Sequence, residues 1–484
     1  METLQRTANA GSVSTGYDID NSVKLEADND ERFTRTPSSA GNRKTWTFSA
    51  WVKRTKLGAN QTLISAADTY LYIGSDDKIY CNFRPATENF FLSTTRLFRD
   101  TSAWYHIVVQ CDTTDSTAAD RAKLYINGVR ETSYSDSTYE NMSQNLDTSM
   151  NNTIEHMIGR YSSSDDYRMS GYISEFHLVD GTALTPTSFG EYDDDSGIWK
   201  PKEVDVTYGT NGFYLDFADA SDLGDDESGN GNDWTEVNIA AADQATDTPT
   251  NNFCTLMPPQ HSITGTATVV SEGGTQMKGG STSQQNAFGS IGVRKGKWYF
   301  ESNVSNLGGV ASYSFMFGVI AADRITALNN GGGYYIGEIA NTWGFTSNNR
   351  GSTGGTENPN FPSETATSGT TEVMGIALDM DNGKIWVHKA GTYATNNSSV
   401  TGNPATGAAP QYDNLLTSTS EHILVGGGVY ASTNAQRNMN FGNPMNANFT
   451  GVGTHSDANG YGSFAYAPPS GYYAICTKNL AEYG

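Results

Sequence analysis

The acidic run Glu191–Asp195 (EYDDD) comes nearest to a set of catalytic carboxylates in this sequence of 484 residues. Cleavage of a glycosidic bond commonly uses two carboxyl groups that flank the bond. The run lies in a Gly-rich stretch without alternating apolar residues, so we expect nothing to hold these carboxylates rigidly, and acidic runs of this kind are usually solvated. No GxSxG or HExxH pattern occurs, and the 7 histidines are scattered. The sequence therefore predicts a protein that is not an enzyme.

A second group of oxygen-bearing side chains suits the hard ligand preference of Ca²⁺. Its candidate ligands are Asp222, Asp225, Asp226, Asn230, Asn232 and Asp233. The pattern is not that of an EF-hand, because no Glu stands at the required final position. Asp and Asn side chains also form Asx turns without any metal. A turn is the favoured alternative and a calcium site the second, and both stay open at this stage.

Loops that combine tyrosine with carboxylates or amides form the third group. Sugar-binding sites are shallow and combine an aromatic surface with groups that bond to sugar hydroxyls. The candidates in the first half of the chain are Tyr161, Asp165, Asp166 and Tyr167. Those in the second half are Tyr334, Tyr335 and Trp343. Exposed tyrosines are common in loops, so each segment alone is a weak indication of a glycan site.

The segments between these loops alternate apolar and polar residues with the period of a β-strand. In residues 46–53, one predicted face carries Trp46, Phe48, Ala50 and Val52. Residues 373–389 read as a hairpin that turns at Asp381-Asn382-Gly383. The face of its first strand carries Met374, Ile376, Leu378 and Met380.

Many short strands in two blocks predict an all-β protein made of two antiparallel β-sandwich (jelly-roll) domains. The predicted segments are an N-terminal arm (1–17), a first sandwich (18–189), an acidic Gly/Asp/Asn-rich connector (190–260), a second sandwich (261–450) and a C-terminal tail (451–484).

The formal net charge of -23 argues against two classes of partner. A surface this acidic repels nucleic acid phosphates and anionic lipid headgroups. No apolar run approaches the roughly 18–20 residues of a membrane span, so we expect neither nucleic acid binding nor membrane insertion. The N-terminus lacks the apolar core of a signal peptide, which predicts synthesis in a cytoplasm.

The four cysteines, Cys81, Cys111, Cys254 and Cys476, have no spacing that indicates zinc. We expect reduced thiols, because free cysteine is often buried. Cys81 and Cys111 fall in neighbouring predicted strands, so a bridge between them stays an open alternative.

Several of these strands resemble known families. Residues 18–189 resemble the laminin-G-like, concanavalin-A-like family in WTFSAWVK (46–53), WYHIVV (104–109), KLYINGV (123–129) and ISEFHL (173–178). Residues 261–450 resemble a SPRY domain in GKWYFE (296–301), FGVI (317–320), WGF (343–345) and MGIALDMDNGKIWVHK (374–389). The resemblance implies two concanavalin-A-like sandwiches that act as interaction modules.

The combination of the two modules in one chain is similar to structural proteins of marine tailed bacteriophages. This resemblance implies a virion surface protein, a tail fibre, spike or head-surface fibre, that attaches to a host glycan or receptor by weak multivalent binding. Its implied partners are other virion proteins and further copies of itself, with a trimer favoured. The first alternative is an architectural decoration or adaptor protein without a ligand, and a polysaccharide depolymerase ranks lower.

Overall fold

The computed structural model describes residues 16–83, 90–138, 142–162, 167–257, 269–279, 285–306, 308, 315–329, 334–346, 351–358, 372–395, 400–418, 421–429, 434–443 and 455–484. These residues form two compact units, of which the first ends at Asn251 and the second begins at Asn252.

Eighteen β-strands belong to the part of the first unit that the structure describes. They are β1 (Ser22–Leu25), β2 (Arg32–Arg35), β3 (Thr45–Arg54), β4 (Gln61–Ala66), β5 (Thr69–Ile73), β6 (Ile79–Phe83), β7 (Phe90–Thr94), β8 (Trp104–Asp112), β9 (Ala122–Ile126), β10 (Val129–Arg130), β11 (Tyr134–Ser137), β12 (His156–Ile158), β13 (Gly171–Asp180), β14 (Gly190–Tyr192), β15 (Trp199–Pro201), β16 (Phe213–Leu215), β17 (Thr235–Val237) and β18 (Gln244–Ala245).

These strands form two antiparallel sheets and a short hairpin. Sheet A has the order β10-β9-β8-β3-β13-β1-β18, with β16 also paired to β13. Sheet B has the order β11-β7-β6-β5-β4-β12-β2-β17, and β14 pairs with β15 in the hairpin. Alternation along β3 sends Trp46, Phe48, Ala50 and Val52 into the core of this unit, as the sequence predicts.

Residues 190–251, most of the segment 190–260 that we expected to form a connector, are part of the first sandwich. Strand β16 pairs with β13, β17 with β2, and β18 with β1. The apolar residues of this segment complete the core: Phe213, Leu215, Phe217, Leu223 and Trp234. Phe213, Leu215 and Phe217 alternate over one short stretch, but the Asp, Gly and Asn around them hide this role because the pattern does not continue.

Fourteen strands and three short helices belong to the part of the second unit that the structure describes. They are β19 (Val269–Ser271), β20 (Gln276–Lys278), β21 (Gln285–Val293), β22 (Lys297–Asn306), β23 (Phe315–Ala321), α1 (Ile325–Asn329), β24 (Thr342–Thr346), β25 (Gly351–Thr353), β26 (Thr356–Asn358), β27 (Met374–Asp379), β28 (Lys384–Lys389), β29 (Thr392–Tyr393), α2 (Leu415–Ser418), β30 (Ile423–Val429), β31 (Gln436–Asn440), β32 (Tyr473–Ala474) and α3 (Thr477–Tyr483).

Two sheets again enclose the core of the second unit. Sheet C has the order β19-β20-β31-β22-β27-β28-β29, and sheet D has the order β21-β30-β23-β24-β25-β26. Strands β27 and β28 pair in the predicted hairpin, with Met374 aligned to Lys389 and Asp379 to Lys384. The predicted inward row is buried in one cluster: Met374, Ile376, Leu378 and Met380.

The C-terminal tail packs on the outer face of sheet C. Strand β32 runs parallel to β22, with Tyr473 aligned to Trp298. The carboxylate of Glu301, in β22, accepts hydrogen bonds from the backbone N–H groups of Ala465 and Tyr466 at 2.9 and 2.8 Å. Residues 455–484 are therefore an integral layer of the second unit.

The prediction of an all-β protein built from antiparallel sheets is confirmed. All four cysteines are buried and free, so Cys81 and Cys111 are not bridged. Within the described ranges, no helix is long and apolar enough to cross a membrane. The predicted arm falls outside the described residues up to position 15.

Candidate functional site

Five tyrosines lie together on the outer face of sheet B. They are Tyr70, Tyr72, Tyr80, Tyr161 and Tyr167, and we call this group the tyrosine face. All five side chains are partly exposed. A cluster of aromatic side chains that keeps contact with solvent is the main surface feature of this sheet.

Strand alternation places three of these tyrosines. In β5, Leu71 and Ile73 point into the core, so Tyr70 and Tyr72 point away from it. In β6, Tyr80 is aligned with Tyr72 and therefore stands on the same side. Cross-strand aromatic pairs of this kind stabilise a sheet as well as shaping its surface.

Tyr161 and Tyr167 reach the same face from the loop after β12. The Tyr161 ring stacks on Tyr70 with a centroid distance of 4.2 Å and an interplanar angle of 29°. The Tyr167 ring meets Tyr72 edge-on at 5.2 Å and Tyr161 at 5.7 Å. The loop therefore brings two predicted glycan-binding residues against strand residues that are distant in sequence.

Mutual stacking fixes the orientation of the rings. Tyr72 and Tyr80 are nearly parallel, with centroids 4.7 Å apart and an interplanar angle of 12°. Tyr70 and Tyr72 stack at 5.5 Å. A tyrosine has only two side-chain torsions, so packed tyrosines give a large contact surface at a low cost in conformational entropy.

Two hydroxyl groups of this face, those of Tyr72 and Tyr80, have a pKa raised above its usual value. Burial, followed by the neighbouring Tyr167 and Tyr70, raises the pKa of Tyr72. Burial also raises the pKa of Tyr80, whose hydroxyl donates to Asp76 Oδ2 at 2.9 Å. Thr62, aligned with Tyr72 on the same side of the sheet, has a buried Oγ1 that makes no hydrogen bond to the described residues. Such a group normally bonds to water or to a bound hydroxyl.

Ring surfaces and hydroxyls together suit a polyhydroxylated ligand. The negatively polarised faces of tyrosine rings provide apolar contact, and the phenol hydroxyls both donate and accept hydrogen bonds. Sugars carry the same combination of apolar C–H faces and hydroxyls. The face is a row of rings on a sheet, which favours a shallow site for an extended ligand.

Sequence reasoning identified two of the five residues of this face. Tyr161 and Tyr167 were candidates, whereas Tyr70, Tyr72 and Tyr80 were missed. The missed signal is the pattern Tyr-Leu-Tyr-Ile over residues 70–73, in which tyrosines alternate with buried aliphatic residues. Asp165 and Asp166 lie outside the described residues.

The candidates in the second unit do not form one surface. Trp343 is completely buried in the core, and its indole N–H donates to Asn414 Oδ1 at 2.9 Å. Our assignment of Trp343 to a surface site is therefore corrected, because β24 points this ring inward. Tyr334 is exposed and Tyr335 partly exposed beside it.

Several candidate calcium ligands of residues 222–233 are engaged in hydrogen bonds within their loop and to neighbouring segments. Asp226 Oδ1 accepts from the backbone N–H groups of Tyr214 and Ser228, both at 2.9 Å. Asp226 Oδ2 accepts from Asn232 N at 2.8 Å, while Asn232 Oδ1 accepts from Arg35. These are the bonds of a turn, and they use the oxygens that a hard cation would need.

The rest of this loop follows the same pattern. The Asn230 side chain donates to the carbonyls of Gly209 and Gly212 at 2.8 and 2.9 Å, and Asp233 Oδ1 accepts from Asp226 N at 3.2 Å. Asp222 and Asp225 are exposed at its rim. Within the described ranges, no group of three or more His, Cys, Asp or Glu side chains is placed to hold a metal ion. The hydrogen bonds of Asp226 and Asn232 account for this loop as a turn, and calcium binding stays a prediction.

The acidic run Glu191–Asp195 leads from strand β14 into the turn of the β14–β15 hairpin. Asp193 Oδ1 accepts from the backbone N–H groups of Asp195 and Ser196 at 3.2 and 2.9 Å, and Oδ2 accepts from Lys200 Nζ at 3.2 Å. The bonds from Ser196, then that from Lys200, lower the pKa of Asp193 to about 2. These carboxylates thus stabilise an exposed turn.

Comparison with known proteins agrees with this architecture. Residues 28–188 match the Laminin_G_3 family model, described as the concanavalin A-like lectin/glucanases superfamily. This match includes the whole tyrosine face, and it covers about a third of the chain. No curated protein matches the chain.

Several solved structures are similar to parts of the chain. The SPRY domain of human HERC1 is 14% identical, with 36% of this chain and 91% of that chain covered and a TM-score of 0.27. A putative carbohydrate binding protein from Bacteroides ovatus is 18% identical, with coverages of 46% and 59% and a TM-score of 0.33. A heptameric SAP-like pentraxin from Limulus polyphemus is 16% identical, with coverages of 34% and 78% and a TM-score of 0.25.

Proposed function

We propose that this protein binds carbohydrate through the tyrosine face of its first unit. The observation that carries this proposal is the contact of Tyr161 and Tyr167 with Tyr70 and Tyr72, which makes one partly exposed aromatic surface from a loop and a strand. The match of residues 28–188 to a lectin and glucanase superfamily supports it. We expect weak affinity for a single sugar chain, because the site is shallow and most of the ligand stays solvated.

A panel of polysaccharides tests this proposal. The purified chain is run by affinity electrophoresis through gels that contain single neutral, carboxylated or sulfated polysaccharides. We expect retardation by at least one of them, and competition by its soluble oligosaccharides. Mobility that no polysaccharide changes would contradict carbohydrate binding.

The proposed biological role is host attachment as a virion surface protein. The support for this role is the combination of a laminin-G-like and a SPRY-like pattern in one acidic chain, which resembles structural proteins of tailed bacteriophages. Several copies on one particle would convert weak binding into firm attachment, because linkage raises avidity by about 10²–10⁴ without new contacts. Other virion proteins and further copies of the chain are the proposed partners.

Two measurements separate attachment from a purely architectural role. Antibodies against the chain, used in electron microscopy of particles, should label their outer surface. Particles whose tyrosine face carries alanines should assemble normally and adsorb poorly to host cells. Normal adsorption of such particles would favour the architectural alternative. If the chain were not found in the particles, both the attachment role and the architectural role would be contradicted.

A further inference from the structure

A buried ion pair connects strand β1 of the first unit with the residue that directly precedes β18. Lys24 points away from the core, because its neighbours Val23 and Leu25 point into it. The Nζ of Lys24 lies 2.9 Å from Oδ1 of Asp243, and the two side chains are only 7% and 10% exposed. The fold therefore holds an amine and a carboxyl group in contact, away from bulk solvent.

Local hydrogen bonding and strand pairing fix the position of Asp243. Its Oδ2 accepts from the backbone N–H of Ala240 at 2.8 Å, so Oδ1 is the oxygen that faces Lys24. Strand β18 begins at the next residue and pairs with β1, with Gln244 aligned to Val23. The carboxyl carbon of Asp243 is one C–O bond beyond Oδ1, so it lies within close reach of the lysine nitrogen.

A third carboxyl group, that of Glu31, belongs to the same site. Glu31 is buried, and its Oε2 accepts from the backbone N–H of Glu26 at 2.7 Å, two residues after Lys24. Burial is the main cause that raises the pKa of Glu31 from 4.5 to about 7, while the charge of Lys24 lowers it and that of Asp243 raises it. Both groups therefore lie close enough to act on Glu31. With a pKa near neutral, Glu31 can both donate and accept a proton at physiological pH.

We propose that Lys24 and Asp243 form an isopeptide bond, an amide between their two side chains, in the folded chain. The contact of Nζ with the Asp243 carboxyl group, the burial of both groups and the buried Glu31 beside them carry this inference. It does not depend on carbohydrate binding.

The reaction is a condensation that releases one water molecule and needs no cofactor. A proton first moves from the ammonium of Lys24 to the carboxylate of Asp243, because burial favours the neutral forms. The electron pair of Nζ then forms a bond to the carboxyl carbon. Protonated Glu31 gives its proton to the departing hydroxyl as the C–O bond breaks, and the resulting carboxylate takes a proton from the nitrogen. Glu31 ends as it began, and an ammonium and a carboxylate have become an amide and water.

The bond closes a covalent loop around the first unit. Strands β2 to β17 all lie between residues 24 and 243. A cross-link across a long stretch of chain stabilises the folded state mainly by restricting the unfolded one. Because β1 and β18 are neighbours in sheet A, the bond joins the two ends of the unit where they already pair.

Mass spectrometry of the unaltered full chain tests the inference. The intact chain should be lighter than its sequence by one water molecule, and a protease digest should contain a branched peptide in which Lys24 is joined to Asp243. Lys56 and Asp28, an exposed ion pair of the same unit, are the control and should not be joined. Full mass with unjoined peptides would overturn the inference, and so would a bond from Lys24 to any other carboxyl group.

Three variants of the full chain test the chemistry. Lys24→Arg keeps the positive charge but offers no nucleophilic amine, so it should have the full mass of its sequence. Asp243→Asn should form the same amide with loss of ammonia instead of water. Glu31→Gln cannot transfer a proton, so joining should slow by about tenfold or more.

The rate in Glu31→Gln is measured from the joined fraction at set times after cell-free synthesis, with the melting temperature as a check of folding. An unchanged rate would overturn the role of Glu31 as the proton donor. The digest of the unaltered chain decides the existence of the bond whether or not a variant folds.

Discussion

The indole N–H of Trp199 donates to Nδ1 of His106 at 3.0 Å. His106 is buried on the face of sheet A that points away from the main core of the first unit. The other ring nitrogen of His106, Nε2, lies 2.8 Å from Ser49 Oγ. Because Nδ1 accepts a hydrogen bond, the proton of the neutral ring sits on Nε2 and is donated to Ser49. The Trp51 ring stacks on His106 with centroids 4.8 Å apart, and the Trp199 ring lies nearly parallel to His106 at 5.9 Å. This arrangement accommodates only the neutral imidazole.

The first prediction concerns the stability of the first unit in acid. Burial lowers the pKa of His106 from 6.5 to about 3. The unfolded chain therefore binds a proton below about pH 6.5 that the folded chain does not bind until about pH 3. Stability should fall as pH decreases through this window, by up to about 1.4 kcal/mol per pH unit for this histidine.

Urea unfolding at pH 6 and pH 4 measures this effect. We compare the unfolding transition that the substitution affects. In this transition, His106→Asn should lose less stability between pH 6 and pH 4 than the unaltered chain does. His455→Asn, at an exposed histidine, is the control and should leave the loss unchanged. An identical pH dependence in His106→Asn and the unaltered chain would show that His106 is not held neutral.

The second prediction concerns the buried ion pair between Lys53 and Asp247. Lys53 Nζ lies 2.6 Å from Asp247 Oδ2, and both side chains are fully buried. Asp247 Oδ1 also accepts from the Trp104 indole at 3.0 Å. Asp247→Ala removes the carboxylate that faces the buried lysine charge, so we expect a loss of about 3–5 kcal/mol in the free energy of unfolding.

The matched control is Asp28→Ala, which removes an exposed pair with Lys56. It should change the free energy of unfolding by less than about 1 kcal/mol. The double variant Lys53→Met/Asp247→Leu should recover part of the loss, because it removes both charges of the pair. Equal, small effects of Asp247→Ala and Asp28→Ala would mean that residues 244–251 do not dock on the sandwich.

The third prediction concerns the inward row of the β27–β28 hairpin. Ile376 is completely buried in the core of the second unit. Ile376→Ala should cost about 2–5 kcal/mol through lost burial and the cavity left behind. Leu416→Ala, at an exposed position in the same unit, should have little effect on thermal unfolding. If Ile376→Ala left the melting temperature unchanged, this face of the strand would be exposed to solvent and the prediction would be wrong.

Strand alternation made the sheets predictable, because each sandwich buries one face of each sheet. The inward rows at Trp46 to Val52 and Met374 to Met380 follow from period two alone. Residues 190–251 were not predictable in this way. Their contribution depends on a few apolar residues, such as Phe213 and Trp234, that fill the core from a short strand or from the residue beside one.

The candidate site was predictable only in its loop residues. Tyr161 and Tyr167 stand among polar neighbours, which marks them as exposed. Tyr70 and Tyr72 read as ordinary strand residues, and only pairing of β5 with β6 sets them beside Tyr80. Trp343 was assigned to the surface because its neighbours are polar, whereas its position in β24 directs it into the core. A single amino-acid sequence does not show which residues far apart in it come into contact in the fold.

The most direct test of carbohydrate binding by the tyrosine face is the affinity of Tyr161→Ala/Tyr167→Ala for the oligosaccharide that the unaltered chain binds best. These two rings come from a loop, so their removal should leave the melting temperature nearly unchanged. Titration calorimetry should show a loss of affinity of about tenfold or more, since each lost ring contact is worth about 0.5–1.5 kcal/mol. Tyr192→Ala, at an exposed tyrosine of the β14–β15 hairpin, should bind as the unaltered chain does. Undiminished affinity in Tyr161→Ala/Tyr167→Ala would contradict the tyrosine face as the binding site.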